Sequence, residues 1–311
     1  MMIKVFIDGK EGTTGLQICD RLGKRDDIQL ITLPEELRKN VEARRECLNS
    51  ADVCFLCLPD AAAIEAAQLV TNPKTKIVDA STAHRTNPDW VYGLPELSDK
   101  RREDIVNSNR VANPGCYATG FITLVEPLVK AGLVASDYPF VVHAVSGYSG
   151  AGKKAIAQYE SADRERELSS PREYALTLSH KHIPEMVREC GLTQKPIFNP
   201  YICDYYCGMC VTVPVFARLM SKKYTVNDVR EYFTEYYARQ NFINIVNGDD
   251  IPQFLAANQL SGSNLLNIYV TGNDEQILLA SVFDNLGKGA SGAAIQNMNI
   301  MFGLDERVSL V

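Results

Sequence analysis

Along the first third of the chain, short apolar runs alternate with segments whose apolar residues repeat at helical spacing. Residues 3–8, 28–33, 53–58 and 76–79 are rich in Val, Ile, Leu and Phe, and they read as strands. The run 53–58 has no polar position, as expected of a strand covered on both faces. Between the strands, Leu16, Ile18, Cys19 and Leu22 fall on one helical face, and the Ala-rich stretch 61–70 reads as a second helix. Residues 90–96 read as a loop and 98–105 as a short helix. Strand–helix alternation of this kind predicts an α/β, doubly wound parallel sheet.

Beyond residue 113 the pattern changes. A helical repeat runs from Cys116 through Leu124, Leu128 and Val129 to a stop at Gly132. Residues 140–145 form a strand, 196–218 are mostly strands, and 226–238 are an aromatic-rich amphipathic helix. Strands at 242–246, 265–270 and 276–283 follow, the last two joined by the hairpin loop 271–275. This half predicts an α+β unit with a mixed sheet. The chain closes on a Gly-rich turn and an Ala/Met helix, whose small residues suit close packing against another helix or a cofactor.

Chemistry gathers at the turns. Gly9, Gly12 and Gly15 join the first strand to its helix with the spacing G-x-x-G-x-x-G. Glycines there allow a tight turn and the approach of a pyrophosphate to a helix N-terminus, so a dinucleotide is the expected ligand. The second strand ends at Thr32-Leu33-Pro34 without an acidic residue, and Arg38 and Lys39 follow. That favours a 2′-phosphate, hence NADP, although Glu35 and Glu36 intervene. In Asn113-Pro114-Gly115-Cys116-Tyr117 a Pro-Gly turn delivers Cys116 to a helix start, where backbone N–H groups and the helix dipole favour a thiolate. The stretch from Ser146 to Lys154 is a second Gly-rich turn that can present N–H groups, hydroxyls and Lys153 to a phosphate. His180 and His182 lie at a loop-to-helix junction whose first turn holds Pro184 and Glu185. Together with a nucleophilic cysteine they suggest acid–base work.

Composition narrows the classes. The 311 residues carry a net charge of −6 with no Lys/Arg run, which argues against nucleic acid or an anionic membrane as the partner. No apolar stretch reaches membrane-spanning length, and the N-terminus reads as a strand. Nine cysteines, an odd number without disulfide spacing, suggest a reducing, cytoplasmic compartment. Cys54/Cys57 and Cys207/Cys210 match C-x-x-C. Both pairs fall in expected strands, where residues three apart face opposite sides, so no metal site is expected.

Five motifs in order resemble the N-acetyl-gamma-glutamyl-phosphate reductase family, in its compact subtype, within the aspartate-semialdehyde-dehydrogenase-like superfamily. They are Tyr92-Gly93-Leu94-Pro95-Glu96, Asn113 to Tyr117, Val145 to Gly152, His180 to Glu185, and Asp284-Asn285-Leu286 with the Gly-rich turn after it. The resemblance implies a Rossmann domain of residues 1–113, to which 285–311 return, and a catalytic and oligomerisation domain of residues 114–284. It implies NADPH-dependent reduction of a small acyl phosphate through a thioester on Cys116, with His180 as the acid–base residue. His182 and Glu185 would orient His180, Asn113 would assist the oxyanion, and Tyr174 would lie at the pocket. Gly9, Gly12, Gly15, Thr32, Arg38, Leu58, Pro59, Asn285 and Gly292 become cofactor candidates. Ser81, His84, Arg85, Ser146, Ser149 and Lys153 become candidates for the substrate's carboxylate or phosphate. A homodimer or homotetramer is implied. A reductase of aminoadipyl phosphate in lysine synthesis, or a non-catalytic nucleotide sensor, are the alternatives.

Overall fold

The computed structural model describes residues 2–310. It divides into two compact units, one running to Gly115 and resuming at Ala290, the other from Cys116 to Gly289. The sequence places the boundaries at 113/114 and 284/285; the two units divide at 115/116 and 289/290.

The first unit contains β1 (Ile3–Asp8), α1 (Thr13–Leu22), β2 (Ile28–Ile31), α2 (Val41–Ser50), β3 (Val53–Leu56), α3 (Asp60–Leu69) and β4 (Lys76–Asp79). It continues through β5 (Val91–Tyr92), α4 (Asp99–Asn107) and β6 (Arg110–Ala112). All six strands are parallel, in the order β2-β1-β3-β4-β6-β5. Helices α2 and α3 bury Leu48, Ala63, Ala66 and Leu69 against Phe6, Cys54, Leu56 and Ile77 on one face of the sheet. The strand order reverses between β1 and β3, where a doubly wound sheet opens a crevice at its carboxyl edge. The sequence reading ran β2 and β3 two residues too far, through Leu33 and Leu58. It also read 90–96 as loop, whereas Val91 and Tyr92 pair with Val111 and Ala112 as an edge strand.

In the second unit, α5 (Cys116–Lys130), β7 (Val141–Gly147), α6 (Lys153–Tyr159), β8 (Arg172–Glu173), α7 (Ile183–Glu189) and β9 (Ile197–Cys203) come first. Then come β10 (Met209–Phe216), α8 (Val226–Tyr237), β11 (Ile243–Ile245), β12 (Leu266–Gly272) and β13 (Gln276–Phe283). The sheet is mixed, in the order β11-β12-β13-β10-β7-β9-β8. A π-helical turn, Gly287–Ser291, leads into α9 (Gly292–Met301). Helix α9 belongs to the first unit and packs on α1, α4 and β4. The small residues expected to pack there do so, and three buried amides accompany them. Gln296 donates to Glu96 and Glu306, Asn297 donates to the Gly93 carbonyl, and Asn299 donates to the Glu306 and Val308 carbonyls.

The two C-x-x-C pairs do not lie on strands as expected. Cys57 lies just past β3 and Cys207 in the turn before β10, so neither pair shares a strand. Cys57 is half-buried by exposure, and desolvation pushes its thiol up to about 12. No cluster of three His, Cys, Asp or Glu suited to a metal occurs among the described residues. No described helix is long and apolar enough to cross a membrane.

Helix α5 is buried from Tyr117 to Leu128 and lies on β10 and β13. Its closest approach is at Gly120, where a Cβ would stand 2.5 Å from Val211 Cγ2 and 2.8 Å from Ser281 Oγ. The Ser281 hydroxyl donates to the Gly120 carbonyl. Packed interiors resist even one added methyl group. Gly120→Ala is therefore expected to cost about 1–3 kcal/mol, read as a lowered urea midpoint; an unchanged midpoint would show that α5 can lift without penalty.

Candidate active site

Cys116 is the first residue of α5, half-buried, and the α5 N–H groups of that turn have no intrahelical acceptors. The Pro-Gly turn before it ends any preceding strand and lets the helix begin at the sulfur. On the other side, Gly289 packs so closely that a Cβ there would stand 2.8 Å from Cys116 Cβ.

Next to Cys116 is a cluster of rings. Tyr117 meets His180 edge-on at 5.7 Å and 88°, and His180 meets His182 at 4.7 Å and 90°. Phe198 on β9 packs edge-on against both Tyr117 and His180. Tyr174 closes the group at 5.8 Å from His180. Burial raises the Tyr117 phenol well above its ordinary range, and the charges of Tyr174 and Cys116 add to the rise. Burial likewise raises Tyr174, with a smaller contribution from Cys116. Both phenols therefore stay protonated hydrogen-bonding groups within reach of the cysteine's charge.

The backbone N–H of His182 donates to His180 Nδ1 at 3.1 Å. A nitrogen that accepts carries no proton, so the neutral ring has its proton on Nε2. His182 is buried at the N-cap of α7, and Glu185 is buried in that helix's first turn, with Pro184 before it. The loop leading into His180 contains two non-glycine residues in the left-handed region, Ala175 (φ 55°) and Leu178 (φ 54°).

The second Gly-rich turn divides into buried and open parts. Ser146 and Ser149 are buried, and Ser149 Oγ accepts from Asn285 Nδ2. The Gly208 N–H donates to Asn285 Oδ1, so both ends of the Asn285 amide brace this unit. Lys153 is exposed at the first position of α6.

In the first unit, Gly9 adopts φ +84°, and a Cβ there would stand 2.3 Å from the Cys57 carbonyl; a Cβ on Gly15 would stand 2.7 Å from the Gly9 carbonyl. Gly12 is the N-cap of α1 and supplies no side-chain cap, while Thr13 Oγ1 is buried with no protein partner. A tight turn, an uncapped helix start and an unsatisfied hydroxyl fit the pyrophosphate of a dinucleotide. Arg38 is exposed and pairs with Glu35 at 3.4 Å. Thr32 follows β2, Leu58 and Pro59 lie between β3 and α3, and Gly292 opens α9.

At the end of β4, Asp79 accepts from the Ser81 hydroxyl and backbone N–H and lies 2.6 Å from His84 Nδ1. The His84 ring stacks on Trp90 at 4.0 Å. Arg85 donates to the carbonyls of Asn113 and Ala80. Asn113 donates to the Ala290 carbonyl and accepts from Asn297. These four candidates are thus buried and engaged in holding loops of their own unit. The sequence reading missed the partners: Asp79 and Trp90 carry no motif, and the amides of α9 are distant in sequence.

A family model described as "Semialdehyde dehydrogenase, NAD binding domain" matches residues 5–107, and one described as "Semialdehyde dehydrogenase, dimerisation domain" matches 116–285. Among curated relatives, an N-acetyl-gamma-glutamyl-phosphate reductase of Burkholderia cenocepacia is 45% identical, covering 96% of this chain and 97% of that one. N-acetyl-gamma-glutamyl-phosphate reductase 2 of Pseudomonas putida is 46% identical, covering 96% of each. Of solved structures, aspartate semialdehyde dehydrogenase II of Vibrio cholerae superposes with a TM-score of 0.70 at 18% identity, covering 97% of this chain and 99% of that one. That likeness is one of fold.

Beneath the first Gly-rich turn lies an ion pair that sequence reading also missed. Arg44 of α2 donates to Asp8 at the end of β1 at 2.9 Å, both buried. Burial raises the Asp8 carboxyl, while Arg44 pulls the other way. Arg44→Met is expected to destabilise by about 3–5 kcal/mol, because it strands a buried carboxylate. Asp8→Asn in the same background should recover part of that loss in a denaturant titration; no recovery would place the cost elsewhere.

Proposed function

Because this chain belongs to the semialdehyde dehydrogenase family, in its N-acetyl-gamma-glutamyl-phosphate reductase branch, we propose that it reduces N-acetyl-L-glutamyl 5-phosphate to N-acetyl-L-glutamate 5-semialdehyde and phosphate, in arginine biosynthesis. The observation that carries this reading is Cys116 at the start of α5, next in the chain to a ring that packs edge-on against His180. We assign NADP binding to residues 1–113 with 285–311, and catalysis and self-association to 114–284. A cytoplasmic homodimer or homotetramer follows from the same reading.

When bound, NADPH supplies the hydride. The Gly9–Gly15 turn would hold its pyrophosphate, Leu58, Pro59 and Gly292 would be further contacts, and Thr32 and Arg38 would serve its 2′-phosphate. Asn285 contributes by bracing the Ser149 turn rather than through a free amide. Cys116 Sγ, favoured as a thiolate at the helix start, attacks the acyl carbon. The C–O bond to phosphate breaks, phosphate leaves, and a thioester remains on Cys116. Once that carbon has been reduced, its C–S bond breaks, and the aldehyde departs with the thiolate restored. His180, whose neutral ring carries its proton on Nε2, keeps that proton and donates a hydrogen bond from it to the oxygen that becomes the alkoxide, which turns back into the aldehyde carbonyl as the C–S bond breaks. His182 fixes the tautomer through its N–H, and buried Glu185 and Tyr174 support the ring cluster. Ser81, His84, Arg85, Ser146, Ser149 and Lys153 are the candidates for the substrate's anionic groups. Asn113 keeps the turn before Cys116 in place.

Cys116→Ser is expected to abolish the phosphate-dependent oxidation of N-acetyl-glutamate semialdehyde by NADP⁺ while leaving NADPH binding intact; substantial turnover would remove the nucleophile assignment. His180→Asn is expected to lower the rate by roughly 10²–10⁴. Fluorescence titration should show NADPH bound far more tightly than NADH, with Arg38→Ala narrowing the gap; equal affinities in the parent would overturn the 2′-phosphate assignment.

A further inference from the structure

At one end of the second unit's sheet, a cavity of about 660 Å³ opens between the segment after β10 and the β12–β13 hairpin. We propose that it binds a small zwitterion: a molecule with a carboxylate and an ammonium group at the two ends of a short apolar stem. The cavity is distinct from the Cys116 site. Strand β10 runs from Met209, paired with Phe283, to Phe216 at the cavity wall. At the Met209 end, Gly289 packs against both the Phe283 ring and Cys116. The eight residues of β10 make seven steps, which separate its two ends by roughly 23 Å.

The frame of the cavity is fixed by hydrogen bonds. The Ala217 N–H donates to the Glu275 carbonyl at 3.0 Å, and the Phe216 N–H donates to the Tyr138 hydroxyl at 2.7 Å. In the hairpin, Asn273 Oδ1 accepts from the N–H groups of Glu275 and Gln276. Asp274 Oδ1 accepts from the Val226 N–H at the start of α8, which holds that carboxylate at the rim.

The lining sorts by charge. Arg218, Lys222 and Lys223 lie on the segment after β10, Asp274 and Glu275 lie on the hairpin, and all five are exposed. Among the described residues, none of the five is joined in an ion pair. Two of the cations lie over rings instead: Arg218 is 5.3 Å from the centre of Phe216, and the Lys222 ammonium is 5.0 Å from that of Tyr224. The charge of Lys222 also reaches Asp228, whose carboxylate accepts from the Thr225 N–H and hydroxyl. Cations and carboxylates that line one cavity without pairing leave a place for a group of opposite sign at each rim. The wall between the rims is apolar. Ala217 and Met220 are buried, and the Phe216 ring is 47% exposed, surface that an apolar stem can cover. A purely anionic ligand would answer the cations but set its charge against Asp274 and Glu275, whereas a zwitterion meets both.

The test is microcalorimetry on the full chain at low ionic strength with three probes: 6-aminohexanoate, hexanoate and hexylammonium. 6-Aminohexanoate is expected to bind saturably, at least about 3-fold more tightly than either singly charged probe, the scale of one surface ion pair. Glu275→Gln is expected to bring 6-aminohexanoate down toward hexanoate without weakening hexanoate itself. Lys222→Gln combined with Lys223→Gln is expected to weaken both carboxylate probes by about 3-fold or more and to leave hexylammonium no weaker. The substituted side chains are exposed, so the variants keep the fold. Hexanoate bound as tightly as 6-aminohexanoate shows a site for anions alone and overturns the proposal, as does the absence of saturable binding. Binding that none of these substitutions moves lies elsewhere on the molecule and overturns it too. None of these results depends on reductase turnover, which Cys116→Ser tests separately.

Discussion

The second unit depends on how closely α5 can approach its sheet. Gly120 permits contact with Val211 and Ser281 that no larger residue allows, and the Ser281 hydroxyl ties the helix backbone down at that point. A helix fixed at its first turns has a fixed N-terminus. That places Cys116 and Tyr117 as rigid parts of the core rather than as loop residues. Cys116 is then presented by the most buried helix of the unit. Positioning on a rigid element is more exact than positioning on a loop, because the packed core resists displacement in every direction.

The imidazole is held by a different economy. His180 sits at the end of a segment with little regular backbone pairing; its Nδ1 accepts from the His182 N–H, and the rings of Tyr117 and Phe198 pack perpendicular to it. Tyr117 and Tyr174 feel the Cys116 charge, and burial keeps both protonated. Protonated phenols beside a thiolate add dipoles without adding charge.

Much of the fold was legible because burial on both faces leaves an unmistakable mark. Strand β3 is apolar and buried at every position, and β1 carries the buried apolar run Val5-Phe6-Ile7. Cys116 was legible because Pro-Gly before a helical repeat fixes where the helix begins. Strand ends were less so: residues 57–58 are as apolar as β3 itself, and only the turn toward Pro59 decides that pairing stops. The partners of the site residues were not legible at all. Asp79, Trp90, Arg44 and the amides of α9 act through contacts between distant segments, and no local spacing announces them.

Those distant partners explain why so many motif residues of the first unit are spent on structure. The carboxyl edge of a parallel sheet gathers loops that leave strands abruptly, and their polar groups must be satisfied where little water reaches. Asp79 therefore accepts from both Ser81 and His84, Arg85 donates to two carbonyls, and Asn113 and Asn297 join the turn before Cys116 to α9. A network of this kind is stiff only when every member is paired, since a half-satisfied one costs more than an apolar core. The consequence is directional. A substitution at His84 or Arg85 disturbs the edge that carries the cofactor turn before it removes any contact to substrate. Kinetic loss from such a variant should therefore be read together with its stability before it is assigned to recognition of the acyl phosphate.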